Sequence, residues 1–166
     1  MLTIGVDTYI TSDEANEYVK QFYLASDSLR IQWEVMTEED REVYLRRAFV
    51  RINQLPYTGK RKSPKQPLPF PRQDGNLLKV KYAQVEQALA TTDTVATQEV
   101  EDRQRLRRAG VQSYKIGDLQ ENFYRQGSES NATMFGLCEK AYYYLSEYLT
   151  GGYKICTSIK RPCGLK

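Results

Sequence analysis

Four basic side chains lie close together in one short stretch and are the clearest candidates for a binding site. They are Lys60, Arg61, Lys62 and Lys65, within the segment PYTGKRKSPKQPLPFPRQDG that covers residues 56–75. Because lysine and arginine bind phosphates and carboxylates, this cluster can attract nucleic acid or an acidic protein face. A third possibility is that the cluster lies on a solvated loop and binds no partner. The cluster alone does not distinguish nucleic-acid binding, protein binding and a solvated loop.

The sequence offers little that could support catalysis or hold a metal ion. It contains no histidine, the usual general base near neutral pH and the usual partner of serine and cysteine nucleophiles. Cys138, Cys156 and Cys163 form no C-x-x-C pair, and zinc prefers four cysteine or histidine ligands. We find no P-loop and no G-x-G-x-x-G motif. We therefore expect a protein that is not an enzyme and has no catalytic, cofactor-binding or metal-binding residues.

Charge is segregated along the chain, although the formal net charge is only +3. Residues 1–45 hold ten acidic and three basic side chains, whereas residues 46–82 hold ten basic side chains and a single acidic one, Asp74. Blocks of opposite charge are complementary, so copies of the chain could dock with a positive surface against a negative one.

The overall composition is that of one folded domain. The chain has 166 residues, of which 40% are hydrophobic and 27% are charged. No apolar stretch approaches the roughly 18 residues that span a membrane. Residues 1–25 lack the basic start of a signal peptide, so we expect a protein made and assembled in a cytoplasm, without a membrane partner.

Helical periodicity predicts two helices before the proline-rich segment. Thr11 and Glu14 form a T-x-x-E capping box for a helix over about residues 12–24. Thr37 is the predicted N-cap of a second helix that ends before Pro56, because proline disfavours helix in the preceding residue. Trp33, between them, is expected to anchor the core under a loop. The core-facing stripes are Ala15, Tyr18, Val19 and Phe22 in the first helix and Leu45, Ala48, Phe49 and Ile52 in the second.

Two more helices and a hairpin are predicted after that segment. One helix covers about residues 77–91, and a tyrosine-rich last helix covers about 132–149 and stops at Gly151-Gly152. Two short runs around Gly117-Asp118 are typical of a β-hairpin. The stretch 99–108 could add a short exposed helix. The apolar face of the last helix comprises Met134, Leu137, Cys138, Ala141, Leu145, Tyr148 and Leu149, and that of the helix over 77–91 comprises Tyr82, Val85, Ala88 and Leu89.

These elements predict a mainly α fold, a small bundle of about four helices with a long proline-rich loop, one β-hairpin and an extended C-terminal tail. One domain would cover residues 1–152, with the hairpin at about 111–124, and an arm would cover 153–166. Apolar side chains within the proline-rich loop indicate that it lies on the body of the molecule. The candidate arm residues, ordered only on assembly, are Tyr153, Lys154, Ile155, Lys160 and Arg161.

Three stretches, in this order and covering nearly the whole chain, resemble one family of tailed-bacteriophage proteins. They are DTYITSDEANEY over 7–18, YTG over 57–59 followed by QPLPFPR over 66–72, and GVQSYKIGD over 110–118 with a later YLTGG over 148–152. The family resembled is that of the head-tail connector, adaptor or head-completion proteins, often labelled "putative DnaT-like single-stranded DNA-binding protein". Its structural motif matches Tyr57, Gly59, Gln66, Leu68, Phe70, Pro71 and Arg72.

The resemblance implies a structural virion subunit without catalytic residues. About twelve copies would form an oligomeric ring under the portal protein, at the head-tail interface of the virion. The oligomeric ring would extend the DNA channel and provide the attachment surface for the next neck or tail protein. Double-stranded DNA would pass through its lumen without specific contacts.

Under that reading the basic cluster is expected to contact protein. A channel that passes DNA must hold it weakly, so Lys60, Arg61, Lys62 and Lys65 would meet an acidic protein face. Arg72 would be a partly buried ion-pair partner. The tyrosines of the last helix, Tyr142, Tyr143, Tyr144 and Tyr148, would serve packing and not base stacking.

The alternative is a single-stranded DNA-binding accessory protein of phage replication. It would use the proline-rich loop and the tyrosines, and its DNA affinity would fall steeply with salt concentration.

Overall fold

The computed structural model describes residues 2–73, 75–93, 102, 105, 113–116, 119–122 and 135–150. Those residues form a mainly helical structure with one two-stranded hairpin, which confirms the predicted fold class. The elements are α1 Ser12–Phe22, α2 Ser28–Val35, α3 Glu38–Asn53, α4 Leu77–Thr92, β1 Ser113–Ile116, β2 Leu119–Asn122 and α5 Glu139–Leu145, followed by a 3-10 turn over Ser146–Tyr148.

Short polar side chains cap the N-termini of three helices. The predicted capping box of α1 is confirmed, because Glu14 N donates to Thr11 Oγ1 at 3.1 Å and Thr11 N donates to Glu14 Oε2 at 3.2 Å. Thr37 Oγ1 accepts from Asp40 N at 3.2 Å at the start of α3. Asn76 caps α4 through its side chain. Each cap satisfies a backbone N–H that has no partner within its helix.

Trp33 is a core anchor, as predicted, but it lies on a helix that the sequence did not predict. It is only 1% exposed on the short helix α2, and its Nε1 donates to Asn16 Oδ1 on α1 at 2.9 Å. It is the only buried residue of α2, and Asp27, the N-cap, makes no side-chain capping bond. A helix of eight residues with one core contact carries almost no periodic signal. Tertiary packing, not local preference, therefore determines α2.

Helix α4 lies at the centre of the described structure and contacts α1, α2, α3 and α5. It is buried over most of its length, including four polar side chains, those of Gln84, Glu86, Gln87 and Thr92. Gln84 Oε1 accepts from Tyr9 N at 2.9 Å, while Gln84 Nε2 donates to Thr8 Oγ1 and to Leu45 O. Gln87 Oε1 accepts from Cys138 N at 2.9 Å. Burying a polar side chain costs little free energy when its hydrogen bonds are made. Helix α4 therefore joins its neighbours both through apolar packing and through these hydrogen bonds.

The predicted last helix over 132–149 is corrected to a much shorter helix. Gly136 has a left-handed φ of +64° and Cys138 is an extended N-cap, so α5 begins only at Glu139. Arg51 Nε donates to Gly136 O at 3.1 Å and holds this turn against α3. After Leu145 the chain tightens into the 3-10 turn. The predicted apolar face is nevertheless largely right, since Leu137, Ala141, Leu145, Tyr148 and Leu149 are buried.

The predicted hairpin is confirmed, with antiparallel register from Ser113↔Asn122 to Ile116↔Leu119. Most of the stretch 99–108, and all of Gly151, Gly152 and the arm over 153–166, lie outside the described residues. No helix in the described part of the chain is both long enough and apolar enough to span a membrane.

Candidate nucleic-acid interface

The proline-rich loop, residues 56–75, folds back on itself and displays the basic cluster at its surface. Lys62 N donates to Pro71 O at 3.1 Å and Gln73 N donates to Lys60 O at 3.2 Å, around an antiparallel bridge between Arg61 and Arg72. Lys60, Arg61, Lys62 and Lys65 are all exposed. None of these four forms an ion pair with a carboxylate among the described residues. The loop therefore presents four exposed cations that no described carboxylate neutralises.

Gln66 fixes the conformation of the loop at its tip. Its Oε1 accepts from Ser63 N at 3.0 Å, and its Nε2 donates to Leu68 O at 2.9 Å and to Pro71 O at 2.8 Å. The backbone carbonyl oxygen of Gln66 accepts from Arg61 Nη1 at 3.1 Å. A single amide side chain thus replaces the backbone bonds that a loop with five prolines cannot make.

Phe70 anchors the loop in the core, as the apolar residues of the segment predicted. It is 2% exposed and lies in edge contact with Tyr57 at 4.8 Å, Tyr148 at 5.4 Å and Tyr9 at 6.1 Å between ring centroids. The Phe70–Pro71 peptide bond is cis. Burial of this ring contributes about 1.5–3 kcal/mol, which keeps the loop on the body of the protein.

Arg72 is buried, as predicted, and among the described residues it forms no ion pair. It is 8% exposed; Nη2 donates to Gly59 O at 2.8 Å and Nη1 donates to Pro69 O at 3.1 Å. Its guanidinium carbon lies 5.6 Å from the ring centroid of Tyr57 and 5.9 Å from that of Phe70. Carbonyl oxygens and aromatic faces stabilise the cation here, where we expected a carboxylate. Arg72 is thus a brace for the loop and is not available to a ligand.

A second surface, the aromatic strip, crosses α1, α4 and α5. Its members are Phe22, Tyr82, Tyr144 and Tyr143, whose ring centroids follow one another at 5.6, 5.8 and 6.2 Å. Phe22 is 53% exposed and Tyr143 is 73% exposed, while Tyr82 and Tyr144 are half-buried between them. Phe22 was assigned to the core stripe of α1 from its spacing, and that assignment was wrong. Phe22 is the last residue of α1 and lies at the edge of the apolar stripe.

Two lysines of α4 lie close in sequence to Tyr82 of the aromatic strip, and each pairs with a carboxylate. Lys81 Nζ lies 2.7 Å from Glu14 Oε1, and Lys79 Nζ lies 2.8 Å from Glu147 Oε1. The hydrogen bond from Lys81 lowers the pKa of the Glu14 carboxyl, and the hydrogen bond to Glu147 raises the pKa of Lys79. Both pairs are open to solvent, so each adds no more than about 1 kcal/mol.

A buried carboxylate lies beneath one end of the strip. Glu86 is 4% exposed and accepts hydrogen bonds from the hydroxyls of Tyr18 and Tyr23, each at 2.6 Å. Lys140 Nζ lies 3.9 Å from Glu86 Oε2 and 4.3 Å from the ring centroid of Tyr23. Burial, together with the hydrogen bond to Glu86, raises the pKa of Tyr18 and of Tyr23. This network ties α1, α4 and α5 together under the strip.

The structure places the predicted site residues in three different settings. The four cations are at the surface, and the remaining motif residues form the frame of the loop that carries them. The tyrosines of the last helix divide, because Tyr148 is buried whereas Tyr143 is largely exposed. The arm residues Tyr153, Lys154, Ile155, Lys160 and Arg161 lie outside the described part of the chain. Sequence spacing missed Phe22 as a surface aromatic, since it occupies a helical position typical of a core, whereas Tyr82 is half-buried against the core in line with its predicted place on the apolar face.

No group of three or more metal-ligating side chains occurs within the described residues.

Comparisons with known proteins give one match. A family model described as "Putative DnaT-like ssDNA binding protein" matches residues 2–161, nearly the whole chain. No curated protein and no solved structure matches the chain.

Proposed function

The chain belongs to this family of DnaT-like ssDNA binding proteins, and from that membership we propose that it binds single-stranded DNA. The observation that carries the proposal is the hydrogen-bonded proline-rich loop with its four exposed cations, which no described carboxylate neutralises. Their clustering at one surface gives a local positive charge that the net charge of the chain, +3, conceals. We propose that the physiological role is that of an accessory protein in phage DNA replication.

The mechanism that these residues support is binding to the phosphate backbone without reading the base sequence. Lysine and arginine side chains replace the counterions that surround the phosphates, and release of those counterions supplies the affinity. Because Gln66, Phe70 and Arg72 already hold the loop in place, binding does not have to order the backbone. The binding free energy then does not include the cost of folding the loop.

A salt titration of oligonucleotide binding tests this proposal. The variant Lys60→Gln/Lys62→Gln removes two loop cations, while Lys20→Gln/Arg47→Gln removes two exposed cations elsewhere and has the same net charge. Since each phosphate contact contributes about 0.7 to the slope of log affinity against log salt, the loop variant should lose about 1.4. The control should keep the slope of the parent protein. Equal slopes for all three proteins, or no binding by the parent, would contradict the proposal.

A structural virion subunit is the second candidate function, and the charge distribution along α3 favours it. The exposed acids Glu38, Glu39 and Asp40 stand in the first turn of α3, and the basic loop follows its other end. A helix of 16 residues is about 24 Å long, so acidic and basic surfaces lie at opposite ends. Such a pair can join copies head to tail, and head-to-tail contacts that close by rotation form oligomeric rings. The portal and a neck or tail protein would then be its partners, with DNA passing through the lumen.

Charge reversal tests the second candidate directly. Glu38→Lys/Glu39→Lys should prevent association between copies at low salt, as measured by size exclusion and negative-stain imaging. Adding Lys60→Glu/Lys62→Glu to that variant should restore association. The acidic and basic surfaces have then exchanged their charges and are complementary again. A parent protein that stays monomeric at every concentration and is missing from purified virions would eliminate this candidate.

A further inference from the structure

The aromatic strip is an unusual surface because its rings are arranged as a connected path. Exposed aromatic rings are normally isolated, whereas here Phe22 and Tyr143 stand at the two ends of a path through half-buried Tyr82 and Tyr144. Tyr18 supports this path from below, with its ring 4.5 Å from Phe22 and 4.6 Å from Tyr82. The rings are therefore held in position before any ligand arrives.

We infer that the aromatic strip is the surface on which unstacked bases lie, and that it selects single strands over duplex DNA. The inference rests on the proposed function and assigns to the strip a task that the basic loop cannot perform. Cations bind the phosphates of any nucleic acid, whereas a ring can stack only on a base whose face is free. In a duplex the base faces already lie against each other, so a duplex gains nothing from the strip.

The spacing of the rings fits separated bases better than stacked ones. Neighbouring centroids are 5.6 to 6.2 Å apart, wider than the roughly 3.4 Å per nucleotide along one strand of a duplex. The rings also meet edge to face, so no base can insert between them as in a sandwich. A base can instead lie against an exposed ring face at either end, on Phe22 or on Tyr143.

Lysines close in sequence to Tyr82 can accept the phosphates of such a strand. Lys79 and Lys81 are held by Glu147 and Glu14 in solvent-exposed pairs, and pairs of this kind add little stability. A phosphate can replace either carboxylate at small cost. Lys140 on α5, whose side chain is 62% exposed beside Tyr23, adds a third cation.

The strip and the basic loop belong to consecutive segments of the chain that are packed together through the core. Helix α4 begins at Leu77, directly after the loop, and Asn76 N donates to the Tyr148 hydroxyl at 2.9 Å. Tyr148 in turn contacts Phe70 within the loop. From there Lys79 pairs with Glu147 and Tyr82 contacts Tyr144 along the antiparallel α4 and α5.

Removal of the exposed rings tests the inference. Phe22→Ala and Tyr143→Ala should each weaken binding of an unstructured single-stranded oligonucleotide by about five-fold or more, which is the effect expected for loss of one stacked base. Both should leave duplex binding unchanged. Val35→Ala, at an exposed apolar position of α2 that is 82% exposed, is the matched control and should change neither affinity. Circular dichroism of each variant verifies that the helices remain folded.

A single strand of equal length that lacks its bases provides the complementary measurement. The parent protein should bind it no better than Phe22→Ala/Tyr143→Ala binds the normal strand. Photo-crosslinking of an iodouracil-substituted strand should label peptides that contain Phe22 or Tyr143.

The possible failures are distinguishable. If the parent protein binds no single-stranded DNA, the proposed function fails. If it binds, but the ring variants keep full affinity or weaken duplex binding equally, only the role of the strip is overturned. If the ring variants abolish association between copies and leave DNA affinity unchanged, the strip is a protein contact and the inference is wrong.

Discussion

At the scale of single residues, buried charged and polar groups determine which surfaces the molecule presents. Arg72 is sequestered by two carbonyl oxygens and two aromatic rings, so the neighbouring exposed cations have a rigid base. Glu86 accepts hydrogen bonds from the hydroxyls of Tyr18 and Tyr23, which brings these two tyrosines over α4. In both cases hydrogen bonds offset part of the cost of burying a charge, although Arg72 Nε is buried and has no hydrogen-bond partner among the described residues.

Arg72→Lys should destabilise the protein although it conserves the charge. A lysine cannot donate to Gly59 O and Pro69 O together or lie flat between two rings, so we expect a loss of about 1–3 kcal/mol. The free energy of unfolding in urea measures it. Arg47→Lys is the control, because Arg47 is exposed and its guanidinium lies over the ring of Tyr44, 5.7 Å from the centroid. Equal stability of Arg72→Lys and the parent would contradict the bracing role.

The raised pKa values of Tyr18 and Tyr23 predict a loss of stability in alkali. In the unfolded chain both hydroxyls ionise near the ordinary pKa of 10.0, whereas burial and Glu86 keep them protonated in the native state. The stabilisation is therefore complete below pH 10 and declines as the pH rises above it. Urea unfolding at pH 9 and pH 11 should show this decline. Tyr18→Phe should reduce its slope, and an unchanged slope would refute the assignment.

At the scale of elements, interruptions of regular structure shape the site as much as the helices do. The break at Gly136 shortens the last helix and allows Cys138 N to reach Gln87 on α4. The proline-rich loop connects α3 to α4 through a folded, non-helical segment. Both irregular segments are held by side chains distant in sequence, Arg51 for the first and Tyr148 for the second.

Gly136→Ala should destabilise the protein for two separable reasons. The left-handed φ costs a residue with a Cβ about 1–2 kcal/mol, and the added Cβ would lie 1.4 Å from Arg51 Nη2. Gly5→Ala, at φ +79° with nothing within 4 Å, should show the backbone cost alone. Thermal unfolding of both variants measures the difference. A Gly136→Ala protein as stable as Gly5→Ala would indicate that Arg51 moves aside freely.

At the scale of the whole molecule, α3 and α4 join two apolar clusters into one body. Phe49, Ile52 and Val80 belong to the cluster around Phe70, while Leu45 and Val85 belong to the cluster around Trp33. The same two helices contribute to both clusters, so neither cluster can lose its packing independently. We expect one cooperative unfolding transition.

Phe70→Leu tests that coupling across the molecule. Loss of the aromatic contacts should lower the unfolding free energy by about 1–2 kcal/mol. Trp33, the only tryptophan, reports on the other cluster, so its fluorescence midpoint in urea should shift together with the circular dichroism midpoint. A shift in one signal without the other would show that the clusters unfold separately.

Local chemistry in the sequence was sufficient to predict much of this fold. Thr11, Thr37 and the stripe from Leu45 to Ile52 place α1 and α3 correctly, because capping and periodicity act within a few residues. The hairpin around Gly117-Asp118 followed from the change of period on either side. The proline-rich loop was identified, and its contact with the body followed from the apolar residues it contains. The four exposed cations were also predicted from the sequence alone.

Only the tertiary structure decided how these pieces meet and which aromatic residues remain open. The helix around Trp33, the break at Gly136 and the partners of Arg72 all depend on residues far away in the sequence, and no local pattern encodes such contacts. The aromatic strip is the clearest case. Phe22 occupies a position that helical spacing assigns to a core, yet whether a ring is covered depends on where the neighbouring helices end.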